Sequence, residues 1–474
     1  MAKRNIRNIQ QLILFLIIFI SLISQISSYN PYAELKEYTV GDGKTLKIAI
    51  LSDSQLPTKD YEAEWDIFKT YIDNLHKALT KIKSENVDAI IYAGDAVHAG
   101  TEYSFNLFKS IWEQYFPFNE PTSPILNIIM GNHDYYPKNQ DYPNTEDDER
   151  DDPVIFQERF EKYFGEKAFS HKVINGIHFI NWSSENSSSD KSNTNVDWAK
   201  EQIEIALKDD LTGNSKPIFV TTHLGPIYTC YGTDLWGNKD VLDTIKDYQN
   251  VISISGHSHY SIIDDKSIWQ GQFTAIQTQS TSYIELEPGT ENGSIPRDEL
   301  NDYFASRKNP MGYFVYIDRN EVRFERFSYT SNNYFYPDWV YPLPIDKNNF
   351  VYDYQSRMEK TPLISWNENQ HYIEVSNEIS VDNENIGVIK FDQPECQTYA
   401  VKYKIIYKNE TGEEKEYLFF SDFYLMPEMR HEYIRLKVPS EIYEAKGQYE
   451  VQVWAMDTWG RLSTNYITDN IILE

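Results

Sequence analysis

Apolar residues in the first third of the chain come in short unbroken runs, each ending on polar residues. Residues 46–51 read LKIAIL and stop at SDSQ; 87–95 read VDAIIYAGD; 123–134 read SPILNIIMGNHD. Such runs, bounded by turn formers, predict buried strands. Between them the period becomes helical. Trp65, Phe68, Ile72, Leu75, Leu79 and Ile82 fall on one helix face, and EYSFNLFKSIWEQYF at 102–116 reads as a second helix. Strand and helix alternate, which predicts a mostly parallel sheet covered by helices. Ligands gather at the C-terminal ends of such strands.

The pattern then loosens. NQDYPNTEDDERDDP (139–153) and SSENSSSDKSNTN (183–195) read as solvated loops, with calcium binding as the weaker reading of the acidic one. Further strands are expected in IHFINW, KPIFVTTH, VISISGHSH, FTAIQTQS and GYFVYIDRNEVRFERFSY, and residues 287–309 read as a surface excursion. Past Pro344 the segments HYIEVS, IGVIKF, YAVKYKIIYKN, EYLFFSDFYL, YIRLKV and YEVQVWAMDTWGRLS are short strands between turns. Tyr449, Val451, Val453 and Ala455 alternate, so one strand face is buried. The prediction is an α/β domain over 46–345 followed by a small all-β sandwich over 362–474. YEVQVWAMDTWGRLS resembles the penultimate strand and turn of a fibronectin type III domain, within the broader immunoglobulin-like class.

Composition narrows the classes. At 474 residues the chain accommodates two domains, and 36 tyrosines favour β-rich packing. A net charge of −28 excludes nucleic-acid or anionic-membrane binding by overall charge. Residues 1–28 have the layout of a signal peptide: Lys3, Arg4 and Arg7, an apolar run from Leu12 to Ile23, then small polar residues. Cleavage near Ser28 predicts a secreted or lumenal protein; a retained segment would anchor it to a membrane instead. Asn181, Asn186, Asn292 and Asn409 begin Asn-X-Ser/Thr triplets, which a secreted glycoprotein can use. Two cysteines, Cys230 and Cys396, make no disulfide framework and are expected to be unpaired and buried.

The candidate chemistry sits where the strands end. In order these segments are SDSQ (Asp53, Gln55), GDAVH (Asp95, His98), GNHD (Asn132, His133, Asp134), TTHLGP (His223) and GHSH (His257, His259). Five of the ten histidines fall here, and five polar segments on successive strand ends are more than a set of turns. Carboxylate, imidazole and carboxamide oxygen are ligands of borderline divalent ions. An aspartate shared by two ions holds them ~3.5–4 Å apart, as in two-metal hydrolases.

The order of these segments resembles the calcineurin-like metallophosphoesterase superfamily, over roughly residues 46–330. That resemblance implies a four-layer α/β/β/α sandwich and a metal-dependent phosphoesterase acting through a dinuclear site of Fe, Zn or Mn. It assigns Asp53, Asp95 and His259 to metal one, and Asp95, Asn132, His223 and His257 to metal two. It makes His133 the group that stabilises or protonates the leaving oxygen. Asp134 either orients His133 or caps the turn. The usual first segment is Asp-X-His, and Gln55 departs from it. Purple acid phosphatases also lack that histidine, and a tyrosine three residues past the bridging aspartate replaces it; here that position is His98. A branch of small metallophosphoesterases pairs Asp-X-Gln with Gly-Asp-X-X-His-Ala, which DSQ and GDAVHA match. His98 is thus a metal ligand, a substrate contact or a structural residue. The substrate implied is a phosphate monoester or diester. The rival reading is a catalytically inactive secreted binding protein whose β-sandwich docks a partner of unknown kind. All motif residues precede Asp346, so the first domain alone is expected to keep the activity.

Overall fold

The computed structural model describes residues 29–59, 65–118, 120–137, 152–184, 195–209, 216–285, 309–367, 372–379, 385–394, 398–430 and 432–474. The expected signal segment, most of the acidic and serine-rich loops, the excursion at 287–308, Asn186, Asn292 and Cys396 lie outside these residues. Among the described residues no helix is long and apolar enough to cross a membrane.

Two mixed sheets face each other. The first has the order Asn333–Pro342, Glu321–Ser328, Met311–Ile317, Leu46–Leu51, Ala89–Tyr92, Ile125–Ile128; its last three strands are parallel. The second runs Lys36–Tyr38, Phe169–Ile174, Ile177–Trp182, Ile218–Thr222, Val251–Ser255, Thr274–Gln277, Ile268–Gln270. The period of two decides the layering. Ile48, Ile50 and Ile91 point between the sheets and meet Phe179, Phe219, Ile252 and Ile276. Their neighbours Ala49, Leu51, Ile90 and Tyr92 point outward and meet Leu75, Leu79, Phe105 and Phe108 on the helices Trp65–Ser84 and Glu102–Trp112. On the other side Ile180 and Val220 meet Ala199 and Ile203 on the helix Val196–Asp209. The result is the expected mixed α/β metallophosphoesterase fold, with helices outside both sheets.

Several elements lacked a clear pattern in the sequence. The strand Asn333–Pro342 is edge-like and alternates poorly, and Phe169–Ile174 carries His171 and Lys172 in its middle. The parallel strands predicted over 46–130 form one sheet, which Met311–Ile317 extends by pairing antiparallel with Leu46–Leu51. Asn181 is wholly buried, so its triplet is no acceptor in the folded chain. Cys230 is free and buried.

The C-terminal region is all-β. A three-stranded sheet (Ile373–Ile379, Asn385–Asp392, Tyr433–Lys437) faces a four-stranded one (Glu414–Phe420, Lys402–Asn409, Gly447–Met456, Ile467–Leu473). Tyr403, Ile405, Val451, Val453 and Ala455 fill the space between them. This region is joined to the first by buried polar contacts. Thr458 Oγ1 bonds Asp264 Oδ1 at 2.5 Å, Tyr399 OH donates to Ile263 O at 2.7 Å, and Asn309 Nδ2 donates to Tyr424 O at 2.9 Å.

A buried histidine pair sits away from the motif segments. His171 Nε2 lies 2.9 Å from His178 Nδ1, with Gln202 and Asp209 on the outer nitrogens. Burial pushes both imidazoles below their usual value, His171 to about 4. The unfolded chain takes up the His171 proton near pH 6.5, the folded chain only closer to pH 4. Stability therefore rises with pH across that window and is complete above about 6.5. His171 should cost about 2 kcal/mol of stability between pH 6.5 and 5. Thermal melts of the wild type and of His171→Gln/His178→Asn should show a shallower acid slope in the variant. Equal slopes would show that the pair does not titrate this way.

Candidate metal centre

The motif segments converge because the strands that carry them end at one edge of the two facing sheets. Asp53 and Gln55 follow Leu46–Leu51, Asp95 follows Ala89–Tyr92, and Asn132 follows Ile125–Ile128. His223, His257 and His259 come from the second sheet, after Ile218–Thr222 and Val251–Ser255. A bridge between Ser52 and Ser280 ties the sheets together beside them.

Two clusters form. Asp53, Asp95 and His259 place ligand atoms within 4.8 Å of one another, and so do Asp95, His223 and His257. Asp95 belongs to both. His259 Nε2 lies 3.2 Å from Asp53 Oδ1, and His223 Nε2 lies 3.1 Å from Asp95 Oδ2. His223 Nδ1 donates to Ala93 O at 2.8 Å, which fixes the tautomer and turns Nε2 to the cluster. Gly131 must be glycine: a Cβ there would lie 2.1 Å from Asp95 Oδ1.

The backbone at the site is strained. Asp53, Gln55, Asp95, His257 and His259 have φ of 54°, 43°, 52°, 69° and 55°. They are half of the ten non-glycine residues with positive φ among the described ones. Each costs on the order of 1–2 kcal/mol, and such strain concentrates at functional sites.

The residues present fit metal ions. Asp95 Oδ2, Asn132 Oδ1, His223 Nε2 and His257 Nε2 are all buried and make no hydrogen bond. Buried polar atoms are rarely left so; Asp95 Oδ2 has His223 Nε2 at 3.1 Å, whereas Asn132 Oδ1 and His257 Nε2 have no partner, and a cation would satisfy the set. Asn132 Nδ2 donates to Tyr136 OH at 2.9 Å, so its oxygen is the end left over. The electrostatics agree. Burial opposes charge on His223, yet the Asp95 carboxylate raises it to about 9. Burial would raise Asp95, but His223 and His133 hold it well below the usual carboxylate range. His257 is pushed down to about 3 by burial and by His223, so its lone pair is available at neutral pH.

The remaining candidates divide. His133 N donates to Asp95 Oδ1 at 2.9 Å, and His133 Nδ1 donates to His98 O at 3.0 Å, which leaves Nε2 as the working nitrogen. Asp134 caps the turn. Its carboxylate accepts from the amides of Gly131 (2.8 Å), Asp95 (2.9 Å) and Val97 (3.2 Å), with no bond to the His133 ring. The Gln55 amide reaches 3.4 Å from His259 Nε2. His98 belongs to neither ligand cluster; its ring stands 5.0 Å from that of His133 and 5.8 Å from Phe68.

Sequence reading overlooked the segment 280–285. Ser280 Oγ donates to Asp53 O at 2.8 Å, Thr281 N to Ser52 O at 3.1 Å, and Glu285 N to His259 O at 3.2 Å. The Tyr283 ring lies 4.3 Å from that of His259. Ile284 then packs with Val401, Phe420, Phe423 and Leu425 of the C-terminal region. The serine- and threonine-rich run QTQSTSY after a strand was the available signal.

The C-terminal sheets thus pack, through Ile284, against the segment that holds the loops of Asp53 and His259. A chain ending at Asp346 should keep its secondary structure yet hold its first metal ion more weakly. Circular dichroism with elemental analysis checks this. Full metal content in the short chain would show that this packing is unimportant.

Residues 46–261 match the family model for calcineurin-like phosphoesterase. No curated protein matches the sequence. Among solved structures, the chain is similar to a conserved uncharacterized protein and predicted phosphoesterase of Streptococcus pneumoniae TIGR4. That match has 13% identity and a TM-score of 0.24, and covers 63% of this chain and 98% of that one. It is also similar to vacuolar protein sorting 29 of Cryptosporidium parvum, at 8% identity and a TM-score of 0.28, covering 63% and 99%. Residues 46–261 are a calcineurin-like phosphoesterase domain.

Proposed function

We propose that the protein is a secreted metal-dependent phosphoesterase that hydrolyses phosphate esters at a dinuclear centre. The observation that carries this reading is the convergence of buried ligand atoms from Asp95, Asn132, His223 and His257, with Asn132 Oδ1 and His257 Nε2 unpartnered beside the Asp95–His223 pair. Asp53, Asp95 and His259 would hold metal one; Asp95, Asn132, His223 and His257 would hold metal two. Ions bound there supply neutralisation of the phosphate oxygens and a water of lowered pKa. The protein's own part lies in His133. With Nδ1 committed to His98 O, Nε2 can give a proton to the departing alkoxide or stabilise its charge. Gln55 offers a neutral amide beside His259, which suits a first site of lower affinity. His98 acts on substrate or on His133, as its place outside both clusters supports. Secretion rests on the N-terminal pattern, and the likeness of the C-terminal sheets to fibronectin type III on their strand pattern.

Purified mature protein should carry close to two transition-metal ions, one lost more readily to a chelator. Paired assays on an aryl phosphate and a bis-aryl phosphate then separate phosphatase from phosphodiesterase. Turnover of neither ester after reconstitution with Mn²⁺, Zn²⁺ or Fe would leave the inactive binding protein as the reading.

The single variants separate the roles. His133→Ala should retain both ions and lose ~10²–10⁴ in kcat. His98→Ala should also retain both ions, with a loss of ~10²–10³ in turnover. Gln55→His should raise the affinity of the weaker ion. Loss of an ion in His98→Ala would make His98 a ligand.

A further inference from the structure

Thirteen large hydrophobic side chains are markedly exposed among the described residues, and three share one loop beside the metal centre: Tyr228 (72%), Leu235 (53%) and Trp236 (39%). The loop links His223 to the helix Lys239–Ile245. Trp236 lies edge-on to the His257 ring, with centroids 5.8 Å apart. An apolar patch at this position abuts the ligand cluster.

The loop holds these side chains outward by construction. Ile227 N donates to Asn238 O (3.2 Å), and Asn238 N returns to Gly225 O (2.7 Å), so the loop's ends are clamped. Thr229 N donates to Thr233 Oγ1 (2.9 Å) inside it. Tyr354 OH, from the helix Tyr354–Lys360, reaches Thr229 O (2.8 Å) and Lys266 O (2.6 Å) beneath it. Gly232 seats it on the histidine turn, where a Cβ would lie 2.6 Å from the Tyr260 ring and 3.0 Å from Ser258. Tyr228 has φ of 61°. That strain is spent on a side chain that stays in water, which is unfavourable unless the ring has something to meet.

We propose that Tyr228, Leu235 and Trp236 form a subsite for an apolar or aromatic group of the phosphate ester, making them specificity-determining residues. This rests on the phosphoesterase reading above. The occupant is part of the substrate because Trp236 stands against His257, with Tyr228 and Leu235 exposed on the same loop. A group joined to a phosphate held over His257 would have the Trp236 ring beside it, since the two rings are 5.8 Å apart. A rigid aromatic and aliphatic surface selects by area and stacking, so it favours large apolar alcohols over compact hydrophilic ones.

The test uses binding, so that it stands apart from turnover. Calorimetry on the metal-loaded full chain compares naphthylphosphonate with methylphosphonate, in the wild type and in Trp236→Ala, Trp236→Phe and Leu235→Ser. The wild type should prefer the naphthyl compound. Trp236→Ala and Leu235→Ser should each lower that preference about tenfold or more, while Trp236→Phe keeps most of it. Elemental analysis should find the same metal content in all four proteins. Selective binding by a protein that hydrolyses no ester would support the subsite and overturn the enzymatic reading. An unchanged preference in Trp236→Ala and Leu235→Ser would overturn the subsite. So would an unchanged preference accompanied by loss of binding to phosphatidylcholine vesicles, which would assign the patch to a membrane surface.

Discussion

Two carboxylates, Asp53 and Asp95, are wholly removed from water within one site, and that constraint organises the molecule around them. Burying a charged carboxylate costs several kcal/mol unless positive charge and hydrogen bonds meet it. Backbone amides supply part of the answer, from His257 to Asp53 and from His133 to Asp95. The raised affinity of His223 for a proton supplies another part. Divalent cations would supply the rest, and the unsatisfied acceptor atoms lie where they would bind.

The fold makes this possible by packing two sheets face to face, so that their strand ends meet on one side. One contributes the aspartates and Asn132, the other the three histidines. Bringing both sets inward requires sharp reversals just past the strand ends, and five residues adopt left-handed backbone to make them. The inter-sheet core, with Ile48, Ile50, Ile91, Phe179, Phe219 and Ile252 packed together, provides the burial that offsets this strain. The C-terminal sheets extend the same support. They hold Ile284, and through residues 280–285 they hold the loops of Asp53 and His259. The second region therefore belongs to the construction of the site, whatever else it binds.

His98 and Asp134 show how neighbouring residues divide the work. Asp134 adjoins His133 in sequence but turns away to cap three amides. His98 presents its carbonyl to His133 and keeps its ring beside it, which orients the His133 imidazole from a position outside both ligand clusters. A substitution at Gln55 has no comparable effect on His133, because Gln55 faces His259 at the other end of the site.

The sequence by itself determined the alternating strands and helices of residues 46–130, the all-β character past Pro344 and the polar segments closing the strands. These are local properties: hydrophobic period and turn chemistry are written in consecutive residues. Leu46–Leu51 and the helix Trp65–Ser84 were legible for that reason. The strand Phe169–Ile174 was not, because its buried His171 and Lys172 break the apolar run and are satisfied in part by distant groups, Gln202 and the Leu126 carbonyl. The tertiary structure alone decided that Met311–Ile317 joins the parallel strands antiparallel, that Asp134 caps a turn, and that Ile284 packs the site's supporting segment on the C-terminal sheets. It also decided that Trp236 stands against His257. Each depends on contacts between residues far apart in the chain, and no local pattern encodes which distant surface a side chain will meet.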